Sequence, residues 1–301
     1  MSWLVRETFE DPIKVMRKQL KEKGIIKIPG AHDAMAALLA QKAGFTSIYL
    51  SGAALTASLG MPDLGVLTLT ELSNRTREIV RATGMPLLVD VDTGYGSILN
   101  VTRTVYEMVD AGAAAIQMED QELPKKCGHL NGKKLVTKEE MVQKITAARK
   151  ADSNLIIVAR TDAFAMEGLD KAIERAKAYY EAGADVIFPE ALQTKEDFRS
   201  FSAAVQFPLL ANMTEFGRTP MFTADQFEEM GYKIVIYPVT SLRIASKAVE
   251  SLYKELYKTG TQSELLGKMQ TRQELYDTLL YEEYEGLDDS IAKTNMDELI
   301  K

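Results

Sequence analysis

Cysteine occurs once in these 301 residues, at Cys127, and histidine twice, at His32 and His129. A single cysteine excludes an intramolecular disulfide and any zinc or iron–sulfur site built on several thiolates. Two histidines exclude a three-histidine metal site within one chain. Long apolar runs are missing too, and none approaches the ~18 residues of a membrane span. Basic residues are outnumbered, with Lys+Arg 36 against Asp+Glu 43 and a formal net charge of -7. That balance argues against the basic stripe on which general nucleic-acid or anionic-membrane binding depends. The opening Met-Ser-Trp-Leu-Val-Arg-Glu has no basic n-region and no long h-region, so no signal peptide is expected. A soluble protein in a reducing compartment, the cytoplasm, is the expectation. Nucleotide signatures are lacking as well. There is no GxxxxGK[ST] loop, and after Gly94-Tyr95-Gly96 the third glycine position of a dinucleotide fingerprint is Leu99.

What is present suits a large folded core: 46% hydrophobic and 26% charged residues argue against disorder. Short β-rich runs alternate with longer helical patterns. The runs are Ile25–Ile28, Ser47–Leu50, Leu87–Val91, Ala114–Met118, Leu155–Ala159, Asp185–Phe188, Leu209–Ala211 and Lys233–Ile236. Their continuous apolar character is that of strands buried on both faces. Glycines just past helical stretches recur at Gly44, Gly112, Gly183 and Gly231, where a left-handed cap precedes the next strand. Eight β-then-α units predict an (α/β)8 TIM-type barrel, with a doubly wound open sheet as the alternative. The expected organisation is one barrel domain. A helix over 8–24 precedes a barrel over 25–258, a lid loop spans 122–134, and a C-terminal helical extension spans 262–298. The barrel does not need that extension, which suggests packing against a neighbouring subunit or a simple plug.

Barrel chemistry collects at the C-terminal ends of the strands. Polar residues recur there: Ser51-Gly52, Asp90-Val91-Asp92, Glu119-Asp120, Arg160-Thr161-Asp162, Pro189-Glu190 and Asn212-Met213-Thr214. Asp90 and Asp92 are two apart and on a strand would face one side. Two such carboxylates suit a hard divalent cation such as Mg²⁺, although one of them could instead cap the next helix. Arg160 and Arg243 can grip a carboxylate bidentately, or serve as structural ion pairs. The segment from Glu122 to Lys134 carries a proline, two glycines, four lysines and the sole cysteine. Cys127, flanked by Lys125, Lys126 and His129, is in a setting that favours thiolate, and the segment reads as a closing lid.

Lys125-Lys126-Cys127-Gly128-His129 resembles the KKCGH motif of the isocitrate lyase and phosphoenolpyruvate mutase superfamily. Val89-Asp90-Val91-Asp92-Thr93-Gly94-Tyr95-Gly96, Ala159-Arg160-Thr161-Asp162-Ala163, Phe188-Pro189-Glu190-Ala191 and Asn212-Met213-Thr214-Glu215-Phe216 resemble family segments in family order. The likeness runs over about residues 8–295. It is strongest to the compact members that cleave 2-methylisocitrate; isocitrate lyases carry large insertions, and the mutases lack the lid motif. The resemblance implies a barrel with a helix exchanged between subunits, a dimer of dimers, Mg²⁺, and cleavage of a tricarboxylate to pyruvate and succinate. It implies that Asp90 and Asp92 hold the metal. It further implies that Ser51, Gly52, Ala53, Gly128, His129, Arg160, Glu190, Asn212, Thr214, Arg243 and Arg272 contact substrate, with Ala53 replacing a frequent glycine. Cys127 is the implied proton donor to the carbanion. For the base that takes the hydroxyl proton, Tyr49 and Glu119 both remain open. Phe188 is expected to line the recess for the substrate methyl, where isocitrate lyases carry a larger tryptophan. Activity on isocitrate or an oxaloacetate-type acid is the alternative within the superfamily, and a non-catalytic scaffold the alternative outside it.

Overall fold

Every strand expected from the apolar runs is present in the computed structural model, which describes residues 4–6, 10–128 and 132–292. In chain order these are β1 (Ile26–Pro29), β2 (Ile48–Leu50), β3 (Leu87–Asp90), β4 (Ala115–Glu119), β5 (Ile156–Thr161), β6 (Val186–Pro189), β7 (Leu210–Asn212) and β8 (Ile234–Tyr237). All pairings are parallel, in two groups: β2-β3-β4-β5-β6 and β1-β8-β7. Isolated parallel bridges, Gly30 to Tyr49 and Ile187 to Leu209, join the groups and close the ring. The closed barrel, and not the open sheet, is therefore the fold.

The helices are α1 (Pro12–Lys21), α2 (Ala34–Lys42), α3 (Gly52–Ser58), α4 (Leu69–Thr83), α5 (Ile98–Asp110), α6 (Lys138–Ala151), α7 (Phe164–Glu167), α8 (Leu169–Glu181), α9 (Lys195–Ala203), α10 (Ala224–Glu229), α11 (Thr240–Thr259), α12 (Arg272–Leu279) and α13 (Tyr281–Ala292). Their starts follow capping chemistry. Thr68, Thr194 and Thr223 each open a helix with a reciprocal capping box to Glu71, Asp197 and Gln226. Two short helices, α3 and α7, of seven and four residues, are not expected from the sequence pattern.

Strand residues alternate between two layers. Ile48, Leu50, Leu87, Val89, Ile116, Met118, Ile157 and Ala159 point outward into the layer shared with the helices. Ile28, Tyr49, Leu88, Ala115, Ile156, Val158, Val186, Phe188, Leu210, Ile234 and Ile236 fill the barrel interior, and Met16 of α1 joins them. Following the inward set upward, apolar gives way to polar at the C-terminal rim. Leu88 is succeeded by Asp90, Ala115 by Gln117 and Glu119, Val158 by Arg160, Phe188 by Glu190, and Leu210 by Asn212. In barrels of this kind the floor serves stability, and chemistry collects at the C-terminal rim.

The described chain separates into two compact units, Glu10–Arg243 and a terminal unit comprising the residues before Glu10 and from Ile244 onward. The terminal unit is helical: most of α11, a 3-10 segment Ser263–Lys268, α12 and α13. Residues 293–298 of the expected extension lie outside the described residues.

Candidate active site

At the end of β3 the chain turns so that two aspartates converge. Asp90 is the last strand residue, but Asp92 lies beyond it with φ 49, in the left-handed region. Strand alternation therefore does not bring the pair together; the turn does, and the Asp92 N–H donates to Asp90 Oδ1 at 3.1 Å. Asp90 Oδ2 accepts the Gly52 N–H at 3.2 Å, from the turn where Ser51 caps α3. A Cβ on Gly52 would stand 3.2 Å from Asp90 Oδ2 and 3.2 Å from Asp92 Oδ1, so glycine leaves both carboxylates room. Ala53, one residue on, is half-buried.

Burial and the neighbouring Asp90 push the Asp92 carboxyl up to about 6, against the partial opposition of Lys125. The Lys125 ammonium, 4% exposed, pairs with Asp92 Oδ1 at 2.6 Å and also with Asp63. Burial pulls the lysine's pKa down, but Asp92 and the nearby acids outweigh it and hold it above its ordinary value. Among the described residues no group of three or more His, Cys, Asp or Glu side chains is arranged to hold a metal unaided. The donor chemistry still fits a hard cation, because two buried carboxylates present oxygen toward one point. Mg²⁺ typically takes one or two carboxylates and completes its shell with water and substrate oxygens.

The second corner lies at β4, β5 and β6. Arg160 Nη1 stands 3.4 Å from Glu119 Oε2 and 3.3 Å from Glu190 Oε2, while Nε and Nη2 donate to Asp162 at 3.0 and 3.2 Å. Its guanidinium carbon lies 5.3 Å over the Phe188 ring, which forms the apolar platform beneath. Asn212 Nδ2 donates to Glu190 Oε2 at 3.3 Å. Glu119 is 2% exposed, and burial holds its carboxyl well above the usual range despite Arg160 and Lys125. Its Oε1 has no hydrogen-bond partner among the described residues, and neither does Asn212 Oδ1. Thr214 is buried just past β7.

Between the corners runs a chain of hydrogen bonds through Gln117, a residue that sequence reasoning missed. Asp90 Oδ1 can only accept, so Gln117 Nε2 donates to it at 3.2 Å. Gln117 Oε1 therefore faces Tyr49 and accepts its O–H at 2.5 Å. Burial, reinforced by Asp90, raises the Tyr49 phenol well above its ordinary value, so it stays protonated. The signal for Gln117 was available, since it alternates with Glu119 along an otherwise apolar strand.

The described residues of the loop after β4 reach both corners. Lys125 enters the acid pair, so its charge is committed to Asp92 and Asp63. Lys133, also missed, donates to Asp162 Oδ1 at 2.7 Å and to the Gly128 carbonyl. Gly128 abuts the second corner, where a Cβ would collide with the Glu190 side chain and the Arg160 guanidinium. Cys127 is exposed. His129 lies outside the described residues. Behind the site Asp120 accepts from Thr161 Oγ1 at 2.7 Å, from Tyr179 OH at 2.8 Å and from the Asp162 N–H at 2.9 Å, fixing the strand ends.

Arg243, in the first turn of α11, donates from Nη1 to the Glu215 carbonyl at 2.7 Å and stacks over Phe216. Arg272 begins α12 and is exposed; it belongs to the terminal unit and not to the barrel unit.

Comparison with known proteins places this chain in a family. The model for phosphoenolpyruvate phosphomutase matches residues 16–257. The chain belongs to the phosphoenolpyruvate mutase/isocitrate lyase superfamily. Within that superfamily the chain is 58% identical to 2-methylisocitrate lyase of Bacillus subtilis over 98% of both chains. Among solved structures it is similar to 2,3-dimethylmalate lyase, with a TM-score of 0.85, 34% identity and 95% of each chain covered. It is also similar to phosphonopyruvate hydrolase in complex with oxalate and Mg²⁺, with a TM-score of 0.86 and 30% identity over 94% of this chain and 100% of that one. No helix among the described residues is long and apolar enough to cross a membrane.

Proposed function

We propose that this superfamily member is a carbon–carbon lyase that cleaves 2-methylisocitrate to pyruvate and succinate with Mg²⁺, in the methylcitrate route of propionate breakdown. The observation that carries the reading is the juxtaposition of a cation-poor acid pair with an arginine-centred corner, bridged by the loop that holds the only thiol. The near full-length likeness to a named 2-methylisocitrate lyase supports the choice of substrate.

Asp90 and Asp92 would hold Mg²⁺, which when bound supplies positive charge toward the substrate's carboxylate and hydroxyl oxygens. Arg160, with Glu190, Asn212, Thr214 and the Ser51–Ala53 turn, orients the tricarboxylate. Arg243, Gly128, His129 and Arg272 serve as further contacts. Of the two possible bases, Glu119 is favoured over Tyr49. The Tyr49 proton is held toward Gln117, which cannot take it, whereas Glu119 Oε1 is buried and unpartnered among the described residues. Glu119 Oε1 accepts the hydroxyl proton and the carbon–carbon bond breaks. Its electron pair stays on the succinate carbon, delocalised into the adjacent carboxylate, where Arg160 stabilises the charge. The Cys127 Sγ–H then protonates that carbon. Phe188 under Arg160 leaves the apolar recess for the methyl group.

The proposed assembly is a dimer of dimers in the cytoplasm, with terminal helices exchanged between subunits. Exposed apolar residues along α11, among them Ile244, Val249, Tyr253 and Tyr257, support a partner on that helix. The deciding experiment measures pyruvate release from 2-methylisocitrate beside glyoxylate release from isocitrate, with 2,3-dimethylmalate and oxaloacetate as further candidates. One methyl in an apolar recess is worth ~10- to 200-fold in kcat/KM, and that preference is expected for 2-methylisocitrate. Equal turnover of both tricarboxylates, or turnover of neither, would overturn the assignment.

A further inference from the structure

Cys127 hangs between two anchors. On one side the Lys126 peptide is clamped by Gln121, whose Oε1 accepts the Lys126 N–H at 3.0 Å and whose Nε2 donates to the Lys126 carbonyl at 2.9 Å. On the other side the Gly128 carbonyl is held by the Lys133 ammonium. The same ammonium donates to Asp162 Oδ1 at 2.7 Å, with side-chain exposures of 1% and 0%. Asp162 is not a loose partner. Its N–H is fixed on Asp120, and its carboxylate is gripped twice by Arg160. Lys133 therefore ties a loop carbonyl to a strand end that is itself fixed, the one that also holds the arginine.

We propose that Lys133 is a positioning residue that sets where the Cys127 thiol stands relative to Arg160. Cys127 is one peptide from the tethered carbonyl, ~3.8 Å between Cα atoms, so any displacement of Gly128 is passed directly to it. Gly128 has no side chain to resist displacement; it fits against Glu190 and Arg160 because a Cβ there would collide with both. The ammonium has three N–H donors, and the one that meets the Gly128 carbonyl links Lys133 to the position of the neighbouring cysteine. Proton delivery to carbon is sensitive to position, and a displacement of about 1 Å costs ~10²-fold in rate.

The test compares full-length Lys133→Met, Lys133→Gln and Lys134→Met with the parent protein. Lys134 is the exposed neighbour. Two readouts are taken: kcat and KM for 2-methylisocitrate, and amide hydrogen exchange across residues 121–128 without ligand. The kinetic readout rests on the lyase reading, and the exchange readout does not. Lys133→Met is expected to lower kcat ~10²-fold with KM within about threefold, and to speed exchange in 121–128. Lys133→Gln keeps an N–H for the carbonyl and is expected to recover about tenfold of the lost kcat. Lys134→Met is expected to match the parent. If Lys133→Met does not fold, Lys133→Gln decides against the parent on the same two readouts. Unchanged exchange in a folded Lys133 variant, or a normal kcat, overturns the proposal. A parent that exchanges as expected but releases no pyruvate defeats the lyase reading alone.

Discussion

Asp92 and Asp162 are the same residue type, both buried, at 7% and 0% exposure, at strand ends two apart in one wall. Burial pushes both carboxyls up. Asp92, facing Asp90 with one lysine to share, ends at about 6. Asp162, facing Arg160 and Lys133, is brought down to about 2, because the two cations outweigh burial. The number of cations within reach, and not depth, decides the sign. One corner is short of positive charge and is built to receive it. The other already has its positive charge and is built to hold a shape.

Removing Arg160 breaks the contrast most severely. Arg160→Met leaves Glu119, Glu190 and Asp162 facing one another without their shared guanidinium. The expected cost is about 3–5 kcal/mol of stability, read from the urea midpoint. A loss of ~10³-fold in kcat/KM should accompany it, the upper end for removing one preorganised donor. A normal midpoint would mean that Asp162 does not depend on the arginine.

Next in size is pH. A carboxyl held at about 6, against 3.8 unperturbed, binds its proton more tightly folded than unfolded. The stability that Asp92 contributes is full below its unfolded value and is lost as pH rises through about 6. Asp162 contributes with the opposite sign: its share is present above 3.8 and is lost as pH falls through about 2. In chelator, stability is expected to decline between about pH 4 and 7. Asp92→Asn or added Mg²⁺ should remove the decline. Denaturation curves across that range check it, and a decline that survives Asp92→Asn refutes the assignment to this group.

The smallest effect sharpens the acid corner. Lys125 occupies the carboxylate that Mg²⁺ would need, so Lys125→Met is expected to tighten Mg²⁺ binding about tenfold, or ~1.4 kcal/mol, by calorimetry. Weaker binding in that variant would show that the lysine supports the cation instead of competing with it.

The barrel was legible in the sequence because its strands are apolar on both faces and its helices end on glycines such as Gly112 and Gly183. The rim was legible because polar residues stop those runs at a common place. What could not be read was the identity of the partners. Asp90 and Asp92 were singled out for a spacing that works on a strand, while a left-handed residue at Asp92 does the work. In the sequence Lys125 reads as a cation acting on Cys127 and Lys133 as one of four lysines in a lid, and only the folded chain shows them buried on Asp92 and Asp162. Composition reports that a segment is cationic, and only long-range geometry reports which acid each cation meets.

The bridges that close the ring have a mechanical meaning. The five-stranded wall β2–β6 carries both corners, and the smaller wall β1-β8-β7 is joined to it through the Gly30–Tyr49 and Ile187–Leu209 bridges. Within each wall, neighbouring strands share ladders several residues long; at the joints the ladder shrinks to a bridge. Those two lines are where the ring resists shear least. One runs past Tyr49 and the other beside the strand that delivers Phe188 and Glu190. On heating, the wall that carries both corners is therefore expected to loosen first along these two margins.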